Sequence, residues 1–201
     1  QATGGQQMVR AAYSSGKPAF GVGAGNSTMV IDETADIVEA ARNTRISKTS
    51  DYGSGCSADG NLLVEESIYA EFLRQLQVEG GYLVKPHEKA LLQAALWDEQ
   101  NHRRSDTVAI PAQKIAQIAG FEIPEGTKFL IVEEENIGKE YPFSSEKLCV
   151  VLSIFKYKGF ENALRMVKAI FEVGGKGHSC GIYSFNEDHI HQLALTAPVG
   201  R

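Results

Sequence analysis

The sequence predicts an α/β fold, a largely parallel sheet flanked by helices. Three observations predict it. Short runs rich in β-branched and other apolar residues recur at 28–31, 61–64, 128–132, 149–157 and 180–183. Stretches with apolar residues at helical spacing lie between them, and glycine or proline punctuates the joins. At 201 residues the chain is long enough to bury a full core without disulfide or metal staples.

Each element follows from its own residues. Gln1 to Met8 opens on a turn signal without an initiator methionine, and Thr3 to Met8 matches the core of a common epitope tag. The text runs without a seam into Val9–Tyr13, so we read it as native sequence leading into a short helix, with a turn at 14–18. Ala19–Val22 reads as a strand, Gly23–Asn26 as a glycine-rich interruption and Thr28–Ile31 as a second strand. Those glycines formally match a dinucleotide fingerprint, but a β-branched strand follows them where the fingerprint needs a helix. A bulge or close backbone approach explains them equally. Thr34 is a candidate cap for a helix to about Ser47, with Ile37, Val38, Ala41 and Ile46 on its apolar face.

Further on, Asn61–Val64 reads as a strand and Ser67–Leu76 as a helix with Ile68, Phe72 and Leu76 inward, stopped by Gly80-Gly81. Pro86 to about Glu99 is a helix carrying Leu91, Leu92, Ala95 and Leu96, and the basic turn Asn101–Ser105 reads as solvated surface. Ala112–Ala119 is a short helix stopped by Gly120, and Lys128–Val132 a buried strand. Cys149–Tyr157 is a strand, Phe160–Val173 a helix with Ala163, Val167 and Ile170 inward, Cys180–Tyr183 a last strand, and Asp188–Leu195 a helix. Strands alternating with helices in this way give a Rossmann-like sheet.

Composition narrows the function classes. With 43% hydrophobic and 22% charged residues the chain reads as soluble and globular. A net charge of -5 gives no electrostatic reason for a nucleic-acid partner. Three cysteines do not make a disulfide framework, which points to a reducing, cytoplasmic setting. No apolar run approaches the roughly 20 residues that cross a bilayer, so no membrane partner is expected.

Asp51-Tyr52-Gly53-Ser54-Gly55-Cys56 is the stretch that carries chemistry. Small neighbours would let a carbonyl reach the Cys56 sulfur, and N–H groups at a helix start or tight turn can hold an oxyanion. A small buried hydrophobe is the other reading of Cys56 and stays open at this point. No metal site is expected, because Cys56, Cys149, Cys180 and His178 lack ligand spacing. His87, His102, His189 and His191 read as surface residues.

Taken together, Thr3-Gly4-Gly5, the run from Met8 to Asn26, Ile31 to Ile37, Asp51 to Cys56 and Glu146-Lys147-Leu148 make the chain similar to the catalytic half of the aldehyde dehydrogenase superfamily. It most resembles the branch that transfers the acyl group to coenzyme A. The resemblance implies a nicotinamide cofactor, NAD or NADP, with coenzyme A as co-substrate and a small aldehyde as substrate. Cys56 would be the nucleophile, its backbone N–H helping to hold the oxyanion. Glu146 would hydrogen-bond the nicotinamide ribose, and Thr3, Gly4, Gly5 and Gly23 would lie along the cofactor. His178 would assist thiol deprotonation or line the acyl pocket, although a histidine capping the turn before Cys180 is an equal reading.

Where hydrolytic relatives carry a water-activating glutamate, the aligned position here is Gly21. Without that base a thiol can take the acyl group instead. Cys149-Val150 also departs from the small residue and proline common in relatives. The resemblance divides the chain into 1–32, the end of a cofactor-binding domain with connecting strands, and 33–201, the thiol-bearing catalytic domain. It implies an excised domain, inactive or weakly active alone, from a protein that forms homo-oligomers. A hydrolytic aldehyde dehydrogenase and a non-catalytic assembly module are the alternatives.

Overall fold

Apolar runs of five or six residues bury both faces only in the middle of a sheet covered on each side, and these runs do so here. The computed structural model describes residues 1–199, the side chain of Gln6 excepted. Its elements run β1 (Ala2–Thr3), α1 (Gln6–Tyr13), β2 (Gly21–Val22), β3 (Thr28–Ile31), α2 (Ile37–Thr49), β4 (Asn61–Glu65), α3 (Tyr69–Val78) and β5 (Gly81–Leu83). They continue as α4 (Pro86–Leu96), α5 (Ala112–Ala119), β6 (Phe129–Glu134), β7 (Val151–Tyr157), α6 (Phe160–Val173), β8 (Cys180–Tyr183) and α7 (Glu187–Thr196). Six strands form one sheet in the order β5-β6-β7-β4-β3-β8, and every pairing in it is parallel. The predicted α/β class is the observed one.

Alternation along each strand divides the core. Ile31, Leu62 and Val64 face α2 to α5, whereas Val30, Leu63, Phe155 and Tyr157 face α6 and α7. Each fully buried side chain of this kind is worth roughly 1.5–3 kcal/mol relative to exposure. That burial fixes the strand ends against which the loops below are set. β1 and β2 stand apart as a two-stranded parallel sheet, Ala2 opposite Gly21 and Thr3 opposite Val22, with α1 as the crossover. β3 pairs in the larger sheet, so residues 28–31 belong to it.

Several sequence expectations shift, each for a local reason. The buried stripe of α2 is Ala40, Ala41, Thr44 and Lys48, while Val38 and Ile46 lie 59% and 51% exposed. Two polar residues complete the stripe, which is why hydropathy alone misplaced it. Leu91 likewise points outward. Asp36, not Thr34, caps α2, its carboxylate accepting from the Glu39 N–H at 2.9 Å. Thr34 instead donates to Asp32 at 2.7 Å and accepts from the Phe185 N–H at 2.7 Å. β5 went unpredicted because three residues behind a double glycine show no period.

His189 is not a surface residue. Its Nδ1 lies 2.9 Å from the fully buried Asp32 carboxylate and its ring stacks on Phe160. The Ser184 and Thr34 hydroxyls also donate to Asp32 and hold that carboxyl below its usual range against the opposing effect of burial. Arg103 corrects the reading of 101–105 as solvated surface. Its guanidinium donates to the carbonyls of Lys147 (2.7 Å), Leu96 (2.9 Å) and Thr107 (3.0 Å), clasping a loop that hydropathy assigns to water. No helix among the described residues is long and apolar enough to cross a membrane.

Candidate active site around Cys56

Four loops meet at the amino-terminal edge of the sheet. Gly25–Ser27 precede β3, Cys56–Gly60 precede β4, Ser144–Cys149 precede β7 and Gly174–His178 precede β8. Open α/β sheets more commonly bind ligands at the opposite, carboxyl edge. The first two loops are tied together where the Ser27 carbonyl accepts from the N–H groups of Gly60 and Asn61, both at 3.1 Å.

Cys56 lies in a turn rather than at a helix start. A 3-10 segment, Ser50–Gly53, leads to it through left-handed residues at Asp51 (φ 46°), Tyr52 (φ 51°) and Gly53 (φ 70°). For the two side-chain-bearing residues that conformation costs on the order of 1–3 kcal/mol each. It is held because Gly53 is wedged between backbones: a Cβ there would sit 2.5 Å from the Cys149 carbonyl oxygen and 2.9 Å from that of Lys48. Cys56 is consequently exposed, whereas Cys149 is buried and Cys180 half-buried. Burial pushes the Cys180 thiol up to about 12, opposed by the Gly181 N–H. The small-hydrophobe reading fits Cys149 and not Cys56.

Glu146 shares one cavity with Cys56. The cavity has room for about one water molecule and is also bordered by Lys48, Asn26 and Lys147. One Glu146 oxygen, Oε1, accepts from the Gly25 N–H at 2.6 Å; the other has no hydrogen-bond partner among the described residues. Gly25 is required for this approach, since a Cβ on it would stand 1.9 Å from the Cys56 carbonyl oxygen and 3.0 Å from Glu146 Oε1.

The remaining sequence candidates fall outside that cavity. The turn of His178 presses on the site from one side: Gly175 (φ 92°) has no room for a Cβ, which would meet the Gly25 carbonyl oxygen at 2.3 Å. The imidazole itself is half-buried, with Nδ1 2.8 Å from the Ser179 hydroxyl. Thr3, Gly4 and Gly5 join β1 to α1, with the Gly4 N–H donating to the Val22 carbonyl at 3.0 Å. Gly23 is exposed, and nothing lies within 4 Å of where its Cβ would be. At Gly21 a side chain would strike Val9 at 2.5 Å and Tyr13 at 3.0 Å, so glycine there serves the packing of α1.

Sequence reasoning missed the charged floor of the site. Lys48 and Lys147 are each 1% exposed, and burial lowers both ammonium pKa values, that of Lys147 strongly. Asp59 is also buried, and burial pushes its carboxyl up to about 6, against the Ser47 hydroxyl and the Lys48 charge. Lysines in a helix and beside a glutamate give no sequence signal of burial. The only available hint was their nearness in sequence to the site motifs.

Asp59 makes a prediction about pH. Its folded pKa lies above its unfolded value of 3.8, so the protonated form contributes stability below pH 3.8 that is lost as pH rises through about 6. Asp59→Asn stays neutral and removes this loss. The thermal midpoint of Asp59→Asn relative to wild type should therefore shift in the variant's favour between pH 4 and pH 7, as read by circular dichroism melts across that range.

The model of the aldehyde dehydrogenase family matches residues 1–120. A sulfoacetaldehyde dehydrogenase from Acholeplasma sp is 42% identical over 206 residues, covering 100% of this chain and 42% of that protein. An acylating sulfoacetaldehyde dehydrogenase from Cupriavidus necator is 40% identical over 202 residues, covering 100% of this chain and 41% of that protein. The crystal structure of an acetylating aldehyde dehydrogenase from Geobacillus thermoglucosidasius superposes with a TM-score of 0.96 at 42% identity, covering 100% of this chain and 44% of that one. The chain thus spans about two fifths of the length of these relatives. A fold that superposes on a solved relative agrees with the family match, and the chain belongs to the aldehyde dehydrogenase family.

Proposed function

We propose that this chain is the thiol-bearing part of a CoA-acylating aldehyde dehydrogenase and that Cys56 is its nucleophile. The observation that carries the reading is the shared cavity of an exposed Cys56 and Glu146, reached by a glycine-rich segment, Gly21–Asn26, that holds no carboxylate. In its thiolate form Cys56 attacks the aldehyde carbon to give a thiohemiacetal, the oxyanion taking a hydrogen bond from the Cys56 backbone N–H. The nicotinamide cofactor, NAD or NADP, supplies the hydride acceptor when bound. Loss of hydride leaves a thioester on Cys56. The thiolate of coenzyme A then attacks that carbonyl, releasing acyl-CoA and regenerating Cys56.

Glu146 fits a ribose contact, because Oε1 is anchored by Gly25 while the second oxygen is uncommitted. Thr3, Gly4 and Gly5 fit a phosphate-side turn: Gly5 caps α1 without a side chain, leaving N–H groups for an anion. Gly23 follows β2, whose Val22 carbonyl accepts from the Gly4 N–H, and leaves open space there. We assign His178 to the acyl side of the site through the contact of its turn with Gly25. The two sheets part between β2 and β3, which supports a cofactor-side segment ending ahead of 28–31, rather than at 32, and a catalytic domain that includes β3. Within this reading the protein is cytoplasmic and self-associates; the exposure of Phe20, Phe185 and Leu195 supports the self-association alone.

The test is product analysis. Full-length protein given acetaldehyde or sulfoacetaldehyde, NAD and coenzyme A should yield acyl-CoA and reduced cofactor in equal amounts. Free acid formed at the same rate without coenzyme A would replace this reading with the hydrolytic one.

A further inference from the structure

Glu146 and Lys147 are adjacent in sequence, yet their side chains reach opposite sides of one closed ring. Lys147 Nζ donates to the Ser145 carbonyl at 2.9 Å and to Asn61 Oδ1 at 3.2 Å. The Asn61 amide donates to Asn26 Oδ1 at 2.9 Å. Asn26, held in a left-handed conformation at φ 47°, donates onward to the carbonyls of Ser144 (3.1 Å), Gly174 (3.3 Å) and Ile170 (3.4 Å). Its chain neighbour Gly25 donates to Glu146, and the Glu146–Lys147 peptide closes the circuit.

We propose that Lys147 is a positioning residue for the reaction at Cys56, acting through Asn61 and Asn26 to fix the Gly25 backbone on which both Glu146 and the Cys56 turn rest. The inference rests on the reading of Cys56 as nucleophile. Three features carry it. Lys147, Asn61 and Asn26 are each no more than 1% exposed, so a missing donor or acceptor finds no replacement in bulk water. Gly25 is the point where the ring meets the nucleophile, its Cα lying against the Cys56 carbonyl. The Lys147 carbonyl is separately gripped by Arg103, which fixes the peptide from which the two side chains diverge. A neutral amine carries two N–H donors, the number of acceptors Lys147 faces. Burial favours that neutral form, with Lys48 adding to the effect and Cys149 and Glu134 opposing it.

The experiment is hydrogen exchange by mass spectrometry on the full-length protein, comparing wild type with Lys147→Met, Asn61→Ala and the double variant. Exchange should rise about ten- to a hundred-fold in peptides covering 23–27 and 53–60, while peptides of β6 and β7 stay at wild-type rates. The double variant should exchange no faster than the faster single variant, because either change opens the same ring. In parallel, kcat should fall about ten- to a hundred-fold with the aldehyde KM held within about threefold. Multiplying effects in the double variant, a rise spread over the whole chain, or unchanged exchange at 23–27 would overturn the proposal. Should Lys147→Met not fold, Asn61→Ala alone decides it by the same peptides. Absence of any acyl-CoA from wild type, with the exchange pattern as expected, would sink the functional reading and leave the ring standing.

Discussion

Replacing Cys56 by alanine is expected to lower turnover of the full-length protein about ten-thousand-fold or more, the scale on which loss of a covalent nucleophile is felt. The same substitution should abolish fast alkylation. Cys56 is the exposed thiol, Cys149 is fully buried, and Cys180 is half-buried with its thiol pushed up to about 12. At neutral pH, limiting iodoacetamide should therefore add one group to wild type, mapped to the Cys56 peptide, and add none to Cys56→Ala on the same time scale. Prior labelling of Cys149 or Cys180 would show that the nucleophile has been misassigned. Fold would not be in question in this experiment, because an exposed turn residue contributes little core packing.

Gly25→Ala is the second large effect. Its Cβ would fall 1.9 Å from the Cys56 carbonyl oxygen, a backbone atom that no rotamer change can move away. Either the Cys56 turn or the segment before β3 must shift by more than an ångström, and displacements of that size cost about a hundred-fold in rate. Overpacking of this kind also destabilises by about 1–3 kcal/mol. Gly23→Ala, two residues away, is the control: nothing lies within 4 Å of its Cβ, so stability should stay within about 0.5 kcal/mol of wild type. Urea midpoints of the two variants, and turnover of Gly25→Ala, check both statements. Equal, mild effects would mean that the close approach at Gly25 does not govern the site.

This contrast shows why neighbouring glycines, alike in sequence, differ in kind. Gly21 is glycine for the packing of α1, Gly25 for the Cys56 turn, and Gly23 for neither. No spacing rule separates them, since the atoms that exclude a Cβ come from Cys56, 31 positions on, in one case and from Val9 and Tyr13 of α1, 12 and 8 positions back, in the other. Arg103 and His189 make the same point for polar residues. Each looked like surface, and each is drawn inward by partners that lie far off in sequence: the Lys147 carbonyl for one, the buried Asp32 carboxylate for the other.

What the sequence by itself determined is what short-range physics encodes. Continuous apolar runs and period-3.6 apolar patterns set the strands and most helices, hence the parallel α/β sheet, and a thiol among small residues made Cys56 the candidate nucleophile. Only the tertiary structure decided which loops share an edge, and with that it brought Glu146 to Gly25, pressed Gly25 on Cys56 and buried Lys48, Asp59 and Lys147 beneath them. The physical reason is that burial of a polar group is repaid by partners rather than by its own hydropathy. Those partners come from chain segments as far apart as residues 25 and 146, which meet only when the sheet orders its strands.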